Sequence, residues 1–536
     1  MPADNKTFYI TTPIYYVNDV PHIGHAYTTL ACDVQARFKR LDGYDVHFLT
    51  GTDEHGQKVE KSAAVAGMAP QDFTDKVSQN FRDLGRVLNY SNDDFIRTTE
   101  PRHTAACQEI WRRLKANGHI YLGTYAGWYA VRDEAFYGEG ELTEGPGGKK
   151  FAPSGAEVEW VEEPSYFFDL SKWQDPLLKF YDEHPDFIAP VSRRNEVLSF
   201  VKGGLQDLSV SRTSFKWGVP VPDDPAHIMY VWLDALTNYI TAVGYPDTNS
   251  AAFKKWWPAD LHMVGKDILR FHAVYWPAFL IGAGLAPPKR VFAHGWWTNE
   301  GQKISKSLGN IIDPLALVGK YGLDQVRYFL LREVPFGNDG DFSRQAMVNR
   351  INGELANDLG NLAQRVLSMV GRNCGGKVPD YTRDDGSITV EDVAVMGCLD
   401  SAHELLPRVR DAIDRQAFHE ALEVIWEVIR KANRSVDADA PWTLRKTDPQ
   451  KMAGVLYTLM EVLRHLAILL QPFMPQSCER LLDQLGVSKD ARDFDKLNPG
   501  EHWRDQNSLV PGTALPAPQG VFPRHVEEPG DDETGM

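Results

Sequence analysis

Two short strings in the chain carry residues able to do chemistry. The first is His22-Ile23-Gly24-His25, within "PHIGHAYTTL". Two imidazoles one helical turn apart can both donate to an anion, and a glycine between them lets a flat ring lie close to the backbone. The second is Lys303-Ile304-Ser305-Lys306-Ser307, within "NEGQKISKSLGN". Two lysines and two hydroxyls on a loop suit a phosphate chain whose charge grows during reaction. Taken singly, each string also reads as a surface feature, a helix start in one case and a solvated loop in the other.

The flanking pattern indicates what would hold them. "TFYITTPIYY" is rich in β-branched and aromatic residues and reads as a buried strand. From Gly24, Ala26, Leu30, Ala31, Val34, Phe38 and Leu41 recur at helical spacing, and Gly43 follows as a stop. "DVHFLTGTDEHG" reads as a second strand ending in a polar turn. Strand, helix and strand this close make a βαβ unit and hence a parallel sheet. Ligands of such sheets bind beyond the carboxyl ends of the strands, where both "PHIGH" and "GTDEHG" fall. A phosphate there would meet the open N–H groups and positive end of the helix. Asn299-Glu300-Gly301 reads as a hairpin turn leading into the lysine loop.

At 536 residues the chain is too long for one core. Its 43% hydrophobic and 24% charged content is ordinary for a globular protein. The five cysteines (Cys32, Cys107, Cys374, Cys398, Cys478) are scattered without a C-x-x-C pair. Neither a disulfide framework nor a thiolate zinc site is suggested, and a cytoplasmic location is expected. The start "MPADNKTFYITTP" lacks the pattern of a signal peptide. The longest apolar runs are expected to fall short of a membrane span. Fifty-seven basic against 73 acidic residues leave a net charge of -16. That balance disfavours nucleic acid over the chain as a whole, although binding uses a local surface.

Together the two strings resemble the paired signatures of class I aminoacyl-tRNA synthetases, in the right order and setting. "TTPIYYVNDVPHIGHAYTT", "LTGTDEHG", "YVWLDALTNY", "GKDILRFHAVYWPAFL" and "KISKSLGN" resemble the methionyl-tRNA synthetase family in particular, from about Phe8 to about Gly486. The resemblance implies an α/β protein. Its Rossmann-type parallel-sheet catalytic domain (1–117 and 223–297) is split by an α+β connective insertion (118–222). A signature-loop and connector region (298–355) and an all-α anticodon-binding helix bundle (356–495) follow. The activity implied is a ligase joining L-methionine to tRNA(Met) through an adenylate made from ATP with Mg2+. His22, His25, Lys303 and Lys306 would be catalytic, with Gly24, Ser305 and Ser307 completing the ATP site. Another class I synthetase, a small-molecule nucleotidyltransferase and a non-catalytic tRNA-binding paralogue are the alternatives. The large helical third, the intact signature residues and the lack of a pocket thiolate weigh against them.

The spacing of apolar residues bears on the substrate. Ile268, His272 and Trp276 are spaced by four and should share one helix face, and Trp232, Ala235 and Tyr239 lie close to one stripe. Rings and small apolar groups would enclose a flexible thioether, with sulfur–aromatic contacts of about 0.3–1.5 kcal/mol each. The same residues would equally make an ordinary aromatic core. The resemblance implies that they line the amino-acid pocket with Pro13, Ile14, Tyr16 and Leu236. It assigns Asp53 to the substrate's α-ammonium group.

Many members of this family carry zinc-binding cysteine pairs in the insertion. Here Ala130 and Asp133 stand where a C-x-x-C would fall, and no cysteine occurs between Cys107 and Cys374. No metal site is expected, and Trp128, Tyr129, Phe136 and Tyr137 are candidates for a core that replaces it. The insertion is also short beside the editing domains of related enzymes. Amphipathic runs such as "AFHEALEVIWEVIRKANRSVD" and "VLYTLMEVLRHLAILLQPF" predict a helix bundle, which could serve structure or RNA. The resemblance places Asn361, Arg365, Pro441 and Trp442 at anticodon-recognising positions, consistent with rings and guanidinium groups catching unstacked bases. Residues 496–536 are proline-rich, then acidic, and are expected to pack loosely or stay flexible. With no room for an appended dimerising module, a monomer is expected.

Overall fold

The computed structural model describes residues 6–17, 20–133, 135–304, 310–382, 395–497 and 507–526. A seven-stranded sheet lies at its centre, and every pairing in it is parallel. Thr7–Thr11 runs in the middle, with Asp45–Asp53 on one side and Leu261–Gly265 on the other. Asp94–Arg97 and the short Tyr15–Tyr16 extend the first side, and Val291–His294 the second. The chain reverses its direction of travel across the sheet at Thr7–Thr11, which opens a crevice beyond the carboxyl end of that strand. The expected helix follows as Ile23–Leu41, closed by Gly43 at φ 82°. That left-handed stop is cheap only without a side chain.

Residues 118–222 are built on a long antiparallel hairpin of Ile120–Ala130 with Glu157–Phe168. A small cluster at its tip packs Ala130, Ala152, Ala156 and Val158 against Trp128 and Tyr137. Tyr129 is buried but stands outside that cluster, beside Arg212, and the Phe136 side chain lies outside the described residues. Asp133 accepts hydrogen bonds from Tyr137 and Ser154. This segment also returns to the central sheet. Ile188–Ala189 pairs with Val291 and Phe292 as its edge strand, so 118–222 is not a separate appendage.

The helical third packs directly on the sheet layer. One apolar core runs from Leu30 and Phe38 through Phe329 to Trp426 and Leu466. At the joint Arg327 is wholly buried and donates to Asp33, which is also wholly buried, at 2.7 Å. Its remaining donors reach the carbonyls of Leu88, Pro472 and Phe473. The helix Pro449–Leu470 is longer and more apolar than the sequence reading allows, enough by length and composition alone to cross a membrane. Nearly all of its residues from Met452 to Leu470 are buried inside the bundle, which identifies it as a core helix.

The other departure is at 507–526, which is docked rather than loose. Leu509, Val521 and Phe522 are buried. Tyr457 donates to the Leu509 carbonyl at 2.9 Å, Val378 to Thr513 at 2.9 Å, and His525 exchanges two hydrogen bonds with Asn352. This strap crosses the bundle back to the connector helices. It lacks helical or strand periodicity, so its docking left no pattern to read.

Candidate active site

A cleft of about 740 Å³ opens at the crevice. One wall is the start of helix Ile23–Leu41, and His22 is its cap. The His22 Nδ1 accepts the Gly24 N–H at 3.1 Å, and the His25 Nδ1 accepts the His22 N–H at 3.1 Å. A ring nitrogen that accepts an amide proton carries none of its own. Each neutral ring therefore holds its proton on Nε2, the atom left for a ligand. Desolvation pulls both imidazoles below their ordinary pKa, His25 further because it is more deeply buried and, second, because His22 lies beside it. The rings are not equivalent. His22 is exposed at the mouth, whereas His25 packs edge-on against Tyr15 and Phe81. Gly24 has a reason beyond ligand approach, because a Cβ there would stand 2.9 Å from His22 Cε1. A side chain would push the capping ring away.

Asp53 ends its strand at the cleft with 5% exposure. Pro13, Ile14, Tyr16, Trp232, Ala235, Leu236, Tyr239, Ile268 and His272 give the same cleft an apolar end, with Tyr16 the strand partner of Asp53. Trp232 stacks on Phe271 with ring centroids 3.4 Å apart. The Tyr239 hydroxyl is 2.7 Å from His272 Nε2, and His272 Nδ1 is 2.9 Å from the Ile268 carbonyl. The imidazole thus donates through Nδ1 and accepts through Nε2. Burial brings its pKa down to about 4, which keeps it neutral.

Trp276 departs from expectation. It is wholly buried, stands behind Tyr239 and does not line the cleft. Phe271–Tyr275 forms a π-helical turn, whose i→i+5 bonds shift the following residues off the four-residue register. Trp276 is carried one layer back, where its indole N–H reaches His262 at 3.3 Å.

Lys303 lies at the cleft rim on the second strand of a hairpin, Trp297–Asn299 with Gln302–Lys303. Glu300 and Gly301 both take positive φ, as a tight two-residue turn requires. Asn299 and Asn310 pin the base of the loop through 2.9 and 3.0 Å bonds. Ser305, Lys306 and Ser307 lie outside the described residues.

Far from the cleft, Arg365 pairs with Asp437 at 2.8 Å and faces the Trp442 ring at 5.5 Å. Trp442 is 46% exposed, which is not the behaviour of a core tryptophan. Asn361 is exposed one turn before Arg365, and Pro441 is buried as the first residue of helix Pro441–Thr447.

The chain matches the family model described as tRNA synthetases class I (M) over residues 8–367. It matches the anticodon binding domain of methionyl tRNA ligase over 384–533. The chain belongs to the methionyl-tRNA synthetase family. The methionine–tRNA ligase of Mesorhizobium japonicum is 57% identical over 525 residues, covering 98% of this chain and 99% of that one. That of Rickettsia felis is 57% identical over 529 residues, covering 97% and 98%. Among solved structures, a Mycobacterium tuberculosis methionyl-tRNA synthetase in complex with methionyl-adenylate superposes with a TM-score of 0.91. It is 52% identical, and the match covers 97% of this chain and all of that one. The second family model includes the strap at 507–526, which assigns it to the helical domain of methionyl-tRNA synthetases.

Sequence reasoning passed over several residues of this site. Asp267, His294 and Trp296 also line the cleft, and the Trp296 indole donates to Asp267 at 3.1 Å. A signal existed for Asp267: a charged pair directly after the apolar strand "LHMVG", at a ligand-facing end. For a metal, the described residues offer one cluster of suitable donors, His103, Cys107 and Asp234. His103 Nε2 and Asp234 Oδ1 are 2.7 Å apart, a hydrogen bond's length and closer than two donors stand around a tetrahedral ion. The insertion holds no cysteine, so its residues do not fit a thiolate zinc site.

Proposed function

We propose that this cleft joins L-methionine to ATP and passes the methionyl group to tRNA(Met). A methionine carboxylate oxygen attacks the α-phosphorus, and the bond to pyrophosphate breaks. The terminal adenosine hydroxyl of tRNA then attacks the acyl carbon, and AMP leaves. ATP enters as its Mg2+ complex. One observation carries the reading: the capped helix, Lys303, Asp53 and the aromatic end all open on the same cleft at the sheet's reversal point.

His22 and His25 offer neutral Nε2–H donors to the phosphates, with His22 at the mouth and His25 behind it. Lys303 and Lys306 balance the charge that grows as pyrophosphate departs. Asp53 takes the α-ammonium group, and the apolar end around Tyr239 and His272 takes the thioether. Trp442, Arg365 and Asn361 form the face that meets the anticodon, which the exposed ring supports. The insertion works without zinc, its hairpin tip held by Asp133 and the apolar cluster beside it. The five cysteines are free thiols, which supports a reducing, cytoplasmic setting, and the chain acts as a monomer.

Pyrophosphate exchange assayed with each amino acid in turn tests the reading. Methionine should support exchange far better than any other, and equal or better exchange with a second amino acid sinks it. Lys306→Ala should slow adenylate formation much more than it weakens methionine binding.

A further inference from the structure

A buried ionic cluster next to the cleft has no part in the chemistry above. Asp234 is 1% exposed, and its two oxygens receive different histidines. His55 Nδ1 is 2.7 Å from one oxygen and His103 Nε2 is 2.7 Å from the other. Cys107 Sγ lies 3.2 Å from His103 Nε2, and Thr241 Oγ1 lies 3.3 Å from His103 Nδ1. Burial pushes the Asp234 carboxyl up, but the two imidazoles outweigh it and hold the group below the usual carboxylate range. A buried charge with both ends satisfied is a fixed point, because moving either partner strands it.

The three anchors come from separate elements. His55 follows Asp53 by two residues, beyond the end of strand Asp45–Asp53. His103 belongs to helix Pro101–Ala116. Asp234 sits on helix Val231–Leu236, among Trp232, Ala235 and Leu236, which line the apolar end of the cleft. The His55 backbone is itself held by the Tyr16 hydroxyl at 3.0 Å, and Tyr16 is another lining residue. The bond from His55 to Asp234 therefore ties the strand end that carries Asp53 to the helix that carries the apolar wall.

We propose that Asp234, gripped by His55 and His103, is a specificity-determining positioning residue. It sets the span between the Asp53 carboxylate and the Trp232–Leu236 wall, and so the side-chain length the cleft accepts. The proposal rests on the reading of Asp53 as the ammonium partner and of that wall as the thioether pocket. Asp234 touches no substrate in this account; it acts through the elements it joins. The phosphate end of the cleft, built on His22, His25 and Lys303, hangs on other elements and should be indifferent to it.

The test uses the full-length enzyme in pyrophosphate exchange, with methionine and with ethionine, which is longer by one methylene. Asp234→Asn and His55→Ala should each raise KM for methionine about tenfold while KM for ATP stays within about twofold, and each should lower the preference for methionine over ethionine about tenfold. His55→Asn, whose amide can donate where Nδ1 did, should restore most of that preference. Should Asp234→Asn fail to fold, the two His55 variants carry the test. An unchanged methionine-to-ethionine ratio in folded His55→Ala overturns the proposal, as does a joint rise of both KM values. Asp53→Asn separates the two levels. If it leaves methionine KM unchanged, the reading of the cleft falls. If it raises methionine KM while His55→Ala does not, only the role of Asp234 falls.

Discussion

The Tyr239 hydroxyl donates to His272 Nε2 at 2.7 Å, and the opposite nitrogen of that ring is held by the Ile268 carbonyl. One phenol and one backbone oxygen thus fix both the orientation and the proton position of an imidazole on the cleft wall. Tyr239→Phe keeps the ring but leaves a buried acceptor unpaired. We expect a stability loss of about 1–3 kcal/mol in urea unfolding and a raised KM for methionine. Unchanged values of both would show that the hydroxyl is dispensable.

The same histidine links stability to pH. Its pKa is lowered from 6.5 to about 4, with burial the main cause. Between those values the unfolded ring takes up a proton that the native ring refuses. Stability is therefore fully present above 6.5 and falls as pH drops through the window. Against His272→Gln, the wild-type unfolding free energy should fall more steeply across it, by up to about 1.4 kcal/mol per pH unit. Parallel profiles for the two proteins would refute the assignment.

Gly24→Ala isolates the cap. The added methyl meets the His22 ring, so the ring must swing out and the Gly24 N–H loses its acceptor. The cost to stability should be modest, about 0.5–2 kcal/mol. The rate of adenylate formation should fall roughly tenfold to hundredfold, because a phosphate donor is displaced. Calorimetry and single-turnover kinetics on one sample distinguish this from general unfolding.

Trp442→Ala addresses the remote face. The exposed ring and its Arg365 neighbour contribute little to the core, so methionine-dependent exchange should persist. Charging of tRNA should weaken about tenfold to hundredfold, in line with the worth of one base stacked on an aromatic ring. Equal losses in both assays would point to a folding role.

Arg327→Met probes the joint between sheet and bundle. Asp33 would lose a wholly buried partner, although Arg37 and Ser91 still reach it. A loss of about 3–5 kcal/mol is expected, read as a lower urea midpoint. A midpoint within error of the wild type would mean that the pair is isoenergetic with a packed apolar side chain.

Much of the scaffold was legible because its signals are local. Helix Ile23–Leu41, strand Asp45–Asp53 and the Glu300-Gly301 turn each announce themselves through periodicity or turn chemistry. Residues meeting at the cleft were legible in part, since spacing by four finds Ile268 and His272 on one face. Trp276 escaped because a π-turn changes the register without changing the residue spacing. The edge strand Ile188–Ala189 is two residues long, too short for any alternation to show. Asp234, His55 and His103 meet only through tertiary packing, with the two histidines 179 and 131 residues from the aspartate.

The strap at 507–526 makes the sealing of the helical bundle wait on residues far downstream of the elements it covers. Asn352 waits 173 residues for His525, and Tyr457 waits 52 for Leu509. Every strand of the catalytic sheet has left the ribosome long before then. A nascent chain cut short in that interval would hold a complete set of cleft elements beside an unsealed apolar bundle, a surface that chaperones and proteases recognise.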